Sequence, residues 1–254
     1  MLVSKNILLT RPLMQNSKLS KVLRTIGHQA LEVPLIEIAP LENQSAFNGL
    51  AIKIDQFDDF VFISQHAVQH GVHLLRDNKE FLKPEHRIIA VGQRTAAELS
   101  KDFKQVFFPD DGTGGDAVMA TEEMSELQGR KILILRGQDG KSWMGDEMQR
   151  RGADVNYFDC YTRQKPKYLQ ADLGRVLRAI EVHLVFLHSA HAAQNLLESG
   201  RKLRKDLLLM TAIVGSEAIK GVLVDMGWKG RILTADSPSN DDMLACFSQM
   251  EDLA

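Results

Sequence analysis

The sequence predicts an α/β protein of two doubly wound parallel-sheet domains, flavodoxin- or Rossmann-like, joined by a two-stranded linker, with the second domain inserted in the first. Three observations predict it. Short apolar runs alternate with amphipathic segments along the whole chain, which is the pattern of strands buried on both faces and covered by helices. Ten such runs are more than one sheet comfortably holds, so two sheets of about five follow. An internal repeat appears in permuted order, and that order sets the domain organisation.

Strands are expected at Ile7–Leu9, Ala30–Val33, Phe60–Ile63, Ile88–Val91, Val106–Phe108, Ile132–Leu135, Val155–Phe158, Leu184–Leu187, Ala212–Val214 and Ile232–Thr234. Between them, Leu19, Val22, Leu23 and Ile26 lie on one helical face that Gly27 ends. Leu169, Leu173, Val176, Leu177 and Ile180 make a second stripe. Met243, Leu244 and Phe247 make a third, after the turn residues Ser237, Pro238, Ser239 and Asn240.

The repeat begins with Arg11 and Gly27, 16 residues apart, matched by Arg136 and Gly152 at the same spacing. Phe62-Ile63-Ser64-Gln65-His66-Ala67 resembles Leu187-His188-Ser189-Ala190-His191-Ala192, and the turn from Ala90 to Ala96 resembles Ile213 to Ala218 when Gly92 and Gly215 are aligned. The arginine unit comes first in one copy and last in the other. A domain of residues 1–36 and 166–254, interrupted by a permuted sibling at 41–161, explains the order. Residues 37–40 and 162–165 are then the two chain crossings, which can pair as a hinge-like ribbon.

Composition narrows the function. Among 254 residues, 44% are hydrophobic and 25% charged, with a net charge of −2, so no global basic field gathers nucleic acid or an anionic membrane. Two cysteines, Cys160 and Cys246, make neither a disulfide framework nor a four-ligand zinc site and read as buried small hydrophobes. The start, Met1 to Arg11, is too short in its apolar part for a signal peptide, and no run reaches a membrane span. Cytoplasm is the expected location.

In open parallel sheets ligands bind beyond the carboxyl ends of the strands. The loops there are small, often hydroxylated, and mostly lead into helices, whose free N–H groups bind anions. Candidate ligand-binding residues are Arg11, Ser64, Gln65, Gly92, Arg94, Thr95, Gly115, Arg136, Gly137, Ser189, Ala190, Ser216 and Ser239. Plain capping explains the hydroxyls equally well, and Arg11 and Arg136 can instead fasten their own loops. Gly137 to Ser142 misses the P-loop pattern, because Leu135 stands where a glycine is needed. Gly112-Thr113-Gly114-Gly115-Asp116-Ala117 matches a dinucleotide fingerprint, but Asp110 and Asp111 bring charge to the pyrophosphate position. His66, His70 and His73 fall near one helix face, and His188 and His191 flank the second Ser-Ala turn, but a metal would want a carboxylate or third ligand converging on them, and a solvated helix edge is the favoured reading. No nucleophile elbow is present.

Taken in order, the motifs resemble the uroporphyrinogen-III synthase family: Leu8-Leu9-Thr10-Arg11-Pro12, the strand and turn from Val61 to Val68, the turn from Ala90 to Ala96, Leu133 to Gly140, Gly152-Ala153-Asp154-Val155 with Tyr161 beyond it, and Pro238-Ser239. Ile63, His188 and Glu217 depart from the family pattern. The resemblance implies two α/β lobes on a two-stranded linker. It implies a lyase that closes hydroxymethylbilane with loss of water and inversion of ring D, without cofactor or metal. Tyr161, as an ordinarily protonated phenol, is the candidate to assist departure of the hydroxyl; an aromatic plug is its other reading. The expected enzyme works as a monomer on a small polyacid, with at most a transient contact with the enzyme that makes its substrate. A non-catalytic two-lobed binding module and a nicotinamide-dependent oxidoreductase remain as alternatives.

Overall fold

A computed structural model describes residues 4–41 and 54–252; residues 42–53 of the expected inserted domain, and the first and last few residues of the chain, lie outside the described residues. The chain divides into two units, one made of the residues up to Glu37 and from Gln164 onward, the other of Ile38–Arg163.

The first unit contains strands β1 (Asn6–Leu9), β2 (Gln29–Glu32), β8 (Leu184–Leu187), β9 (Thr211–Val214) and β10 (Ile232–Thr234), in the order β10-β9-β8-β1-β2. The second contains β3 (Glu37–Pro40), β4 (Asp59–Phe62), β5 (Arg87–Ala90), β6 (Lys131–Gly137) and β7 (Asp154–Gln164), in the order β3-β7-β6-β4-β5. Every pairing with a described register is parallel.

The apolar runs are unbroken because each sheet is covered on both faces. In β8, Val185 and Leu187 face one core while Leu184 and Phe186 face the other. In β4, Phe60 and Phe62 face one core and Val61 the other. Alternate side chains point to opposite faces, and each buried side chain of this size contributes roughly 1.5–3 kcal/mol.

In the first unit, α1 (Leu13–Thr25) and α10 (Asn240–Asp252) cover one face. The other face carries α6 (Leu169–Ala179), α7 (Ala190–Ser199) and α9 (Glu217–Asp225), with the short α8 (Arg204–Leu207) between the last two. In the second unit, α2 (Gln65–Arg76) and α3 (Gln93–Leu99) cover one face, α4 (Gly115–Met119) and α5 (Trp143–Arg150) the other.

Two expectations are corrected and one is refined. Val106–Phe108 is not a strand but an isolated parallel bridge between Phe107 and Ile89. It occupies the place beside β5 that β10 takes beside β9, and it stays short because Pro109 follows it and removes a backbone donor. Glu37–Pro40, expected as a crossing that can pair as a ribbon with residues 162–165, is a strand of the second sheet next to β7, which itself runs on to Gln164. Ile26 is 43% exposed; it caps the end of α1, its N–H still bonded to the Val22 carbonyl, and the chain turns away at Gly27 directly after it.

The repeat also acquires a register. β1, α1 and β2 correspond to β6, α5 and β7, and Gly27 and Gly152 both adopt positive φ, +92° and +91°. Aligning Gly92 with Gly215 is off by one residue, however. Gly92 precedes α3 as its cap, and the residue in that role before α9 is Ser216.

Candidate active site at the carboxyl ends of the strands

Parallel strands send their following loops to one edge of each sheet, and the candidate residues gather there. Ser64, Ser189 and Ser216 hold extended backbone immediately before α2, α7 and α9. Their hydroxyl oxygens accept the N–H groups of Ala67 at 3.0 Å, Ala192 at 3.1 Å and Ile219 at 3.4 Å. Each cap satisfies one of the unpaired first-turn donors. Gln65 and Ala190 are the first residues of their helices. Ser239 accepts the Asp242 N–H at 3.1 Å and caps the start of α10. Gly92 lies close enough to Thr113 that a Cβ would stand 2.5 Å from its hydroxyl oxygen, while Thr95 is buried one turn into α3.

The three candidate arginines differ. Arg11 donates to Gln15 at 2.8 Å and to Asn240 at 3.1 Å, tying the loop after β1 to the start of α10. Arg136 donates to Asp159 at 2.9 Å and to the Gly140 carbonyl at 3.1 Å, and its guanidinium lies 3.9 Å from the Tyr157 ring centre. Both fasten their loops. Arg94 is exposed, and its guanidinium has no partner among the described residues.

Tyr161 is 1% exposed. Its hydroxyl lies 3.1 Å from the Ser64 oxygen, and its ring rests on Gly137, where a Cβ would come within 2.7 Å of it. A register shift between Arg136 and Gly137 sets Tyr161 opposite that glycine. A small cavity bounded by Ile63, the Gly137–Gly140 loop and Arg163 reaches the ring. His66 and His70 stand 5.7 and 6.0 Å from it, ring centre to ring centre. Burial, reinforced by His66 and His73, holds the His70 imidazole below its ordinary pKa, so it is neutral at pH 7. The histidine cluster of α2 thus lies beside the candidate tyrosine. Among the described residues no three His, Cys, Asp or Glu side chains converge as a metal site.

The family model described as uroporphyrinogen-III synthase HemD matches residues 17–245. This chain belongs to the uroporphyrinogen-III synthase family. It is 30% identical to the Escherichia coli K12 uroporphyrinogen-III synthase over 94% of this chain and 98% of that one. The Salmonella typhimurium uroporphyrinogen-III synthase is likewise 30% identical, over 94% and 98%. Among solved structures, a mutant uroporphyrinogen III synthase from the extremely thermophilic bacterium Thermus thermophilus matches with a TM-score of 0.62 at 15% identity, covering 99% of this chain and 100% of that one. Uroporphyrinogen-III synthetase from Helicobacter pylori 26695 matches with 0.59 at 18%, covering 97% and 99%. At these identities the structures establish the shared two-domain α/β fold.

As a member of the uroporphyrinogen-III synthase family, the chain shows where its departures lie. Ile63 lines the cavity at Tyr161. Burial and the Arg11 cation push the His188 imidazole down to about 3, against a smaller upward pull from Asn240, so this residue at the end of β8 is neutral. Glu217 pairs with Lys220 at 3.1 Å. The dinucleotide-like segment enters a helix of five residues, α4, beside Asp110 and Asp111. Burial pushes the Cys160 thiol up to about 12, which suits an inert core residue. Trp143 and Arg163 reach this edge unannounced by the motifs. A tryptophan directly after a glycine-rich loop, in a chain with two, is the signal that marks the first. Arg163 reads as linker and carries no such signal.

Proposed function

We propose that the chain converts hydroxymethylbilane to uroporphyrinogen III by loss of water, inversion of ring D and ring closure. The observation that carries this reading is the family match over residues 17–245, which takes in every candidate loop except the one at Arg11. Eight carboxylates must be held by a chain of net charge −2, so binding rests on directed donors. In each unit the first-turn N–H groups that the serine caps leave unpaired are suited to this, at α2 in the second unit and at α7 and α9 in the first, and the uncommitted Arg94 of the second unit adds a cation.

In this reading the Tyr161 hydroxyl, held by Ser64, donates a hydrogen bond to the departing hydroxyl of the bilane. The C–O bond breaks as the adjacent pyrrole nitrogen releases its lone pair, and the proton lost in ring closure balances the hydroxide that leaves as water. Gly137 supports the step by letting the tyrosine ring sit against its backbone. Most of the acceleration comes from holding ring D for the inverted closure. The enzyme is cytoplasmic and monomeric, needs neither metal nor cofactor, and meets the enzyme that supplies its substrate only transiently.

Freshly made hydroxymethylbilane separates the outcomes. The expected product, resolved after oxidation, is the type III isomer; type I alone means spontaneous closure and defeats the reading. Tyr161→Phe is expected to lower turnover by up to about a hundredfold, the lower range for a positioned proton donor, without abolishing it. Unchanged turnover removes Tyr161 from the step.

A further inference from the structure

Trp143 opens α5, directly after the loop from Gly137 to Ser142. It is 48% exposed, whereas the next two residues, Met144 and Gly145, are buried. The six-membered part of its indole lies against Gly115, at whose α-carbon an added Cβ would stand 3.1 Å from Cζ3 and 3.3 Å from Cε3. The indole N–H makes no hydrogen bond among the described residues, in contrast to Trp228, which is buried and donates to the Met210 carbonyl at 2.9 Å. A large aromatic surface left in water forgoes burial that a smaller residue here would not forgo. Its position is the edge of the second sheet beyond the carboxyl ends of the strands, where ligands of such sheets bind.

We propose that Trp143 is a substrate-binding residue: its exposed indole packs against one pyrrole ring of the tetrapyrrole and its free N–H meets a carboxylate carried by that ring. The proposal rests on the functional reading above and adds the group that grips the apolar part of the ligand. A polyacid of pyrroles presents flat π-faces edged with carboxylates, and an indole offers a face and a donor together. Gly115 makes the seat, because any side chain there would lift the ring.

The test is steady-state kinetics of Trp143→Ala and Trp143→Phe with hydroxymethylbilane, beside anaerobic quenching of indole fluorescence by acrylamide. The probe in the quenching arm is colourless uroporphyrinogen III. Trp143→Ala is expected to raise KM about tenfold, the scale found when an aromatic stacking partner is cut to alanine, with kcat within about twofold and the type III isomer retained. Trp143→Phe keeps the ring and recovers most of the loss. Acrylamide quenching of the wild type, less that of Trp143→Phe, is expected to fall when uroporphyrinogen III is added. Should the alanine variant fail to fold, the quenching arm decides alone. An unchanged KM in a folded Trp143→Ala, or quenching that uroporphyrinogen III leaves unaltered, overturns the proposal. A wild-type chain that yields type I alone defeats the functional reading instead, and the quenching arm then still reports whether the indole takes a tetrapyrrole polyacid.

Discussion

At the amino-terminal end of β4, water does not reach the Asp59 carboxylate, and two guanidinium groups clamp it. Arg87 donates through Nε and Nη2 at 2.6 and 2.7 Å, and Arg130 through Nε and Nη2 at 2.7 and 2.6 Å. Arg87 also reaches the Glu123 carbonyl at 2.7 Å, which ties the turn before β6 into the clamp. Burial alone would raise the Asp59 pKa, but the hydrogen bonds and charges of the two arginines outweigh it and hold the carboxyl below its ordinary value. A carboxyl depressed in this way stabilises the fold above the pKa of the unfolded chain, about 3.9. That stability is lost as pH falls through the folded value. Asp59→Asn keeps the shape and removes the charge, leaving two partly buried cations unpaired. Equilibrium urea unfolding at pH 7 should show a loss of about 3 kcal/mol, as expected for a broken buried pair, and a change under about 1 kcal/mol would mean that water compensates the arginines. Because the clamp is at the opposite end of β4 from Ser64, product isomer ratios should not change.

Each repeated strand–helix–strand unit turns on one glycine, and this is the part of the fold that spacing alone reveals. Gly27 and Gly152 both need positive φ, yet their surroundings differ. A Cβ at Gly27 meets nothing, whereas at Gly152 it would strike the Gln128 side chain and come within 3.1 Å of the Gln128 α-carbon. Gly27→Ala should therefore cost the left-handed backbone strain alone, about 1 kcal/mol. Gly152→Ala should cost clearly more in the same chemical melts; equal losses would show that Gln128 moves aside freely. Continuous apolar runs make β4, β6 and β8 legible, since only strands covered on both faces read that way. Glu37–Pro40 reads as a crossing because its alternation of charge, isoleucine, alanine and proline carries no core pattern. It is an edge strand, buried on neither face as fully as β4 or β8. The serine caps are legible as helix starts, but the glycine alignment slips because Gly92 caps with its backbone what Ser216 caps with its hydroxyl. The partners that occupy Arg11 and Arg136 are beyond the sequence. Asn240 and Asp159 are brought to them by the sheet order, not by any local motif.

Taken whole, the chain holds imidazoles buried or half-buried in both of its units, and this sets how it should respond to acid. His28 and His188 lie in the first unit, His70, His73 and His86 in the second, and all five are held below their ordinary pKa. Burial is the largest cause in each case, and His188, pushed down to about 3, is held furthest below. For a histidine whose folded pKa is lowered, the unfolded chain takes up a proton near pH ~6.5 that the folded chain refuses. Stability is thus fully present above about 6.5 and declines as pH falls toward the folded values. His188 alone should contribute a slope of up to about 1.4 kcal/mol per pH unit between its two pKa values, a window that opens well above the carboxylate range in which Asp59 acts. Thermal and urea unfolding from about pH 7.5 to about pH 4.5 should show stability falling steadily over this interval. His188→Gln, which cannot take up the proton, should flatten that fall by about one proton's worth. If the variant and the wild type lose stability in parallel, His188 is not held neutral by the fold, and its place at the end of β8 must be solvated more than its packing implies.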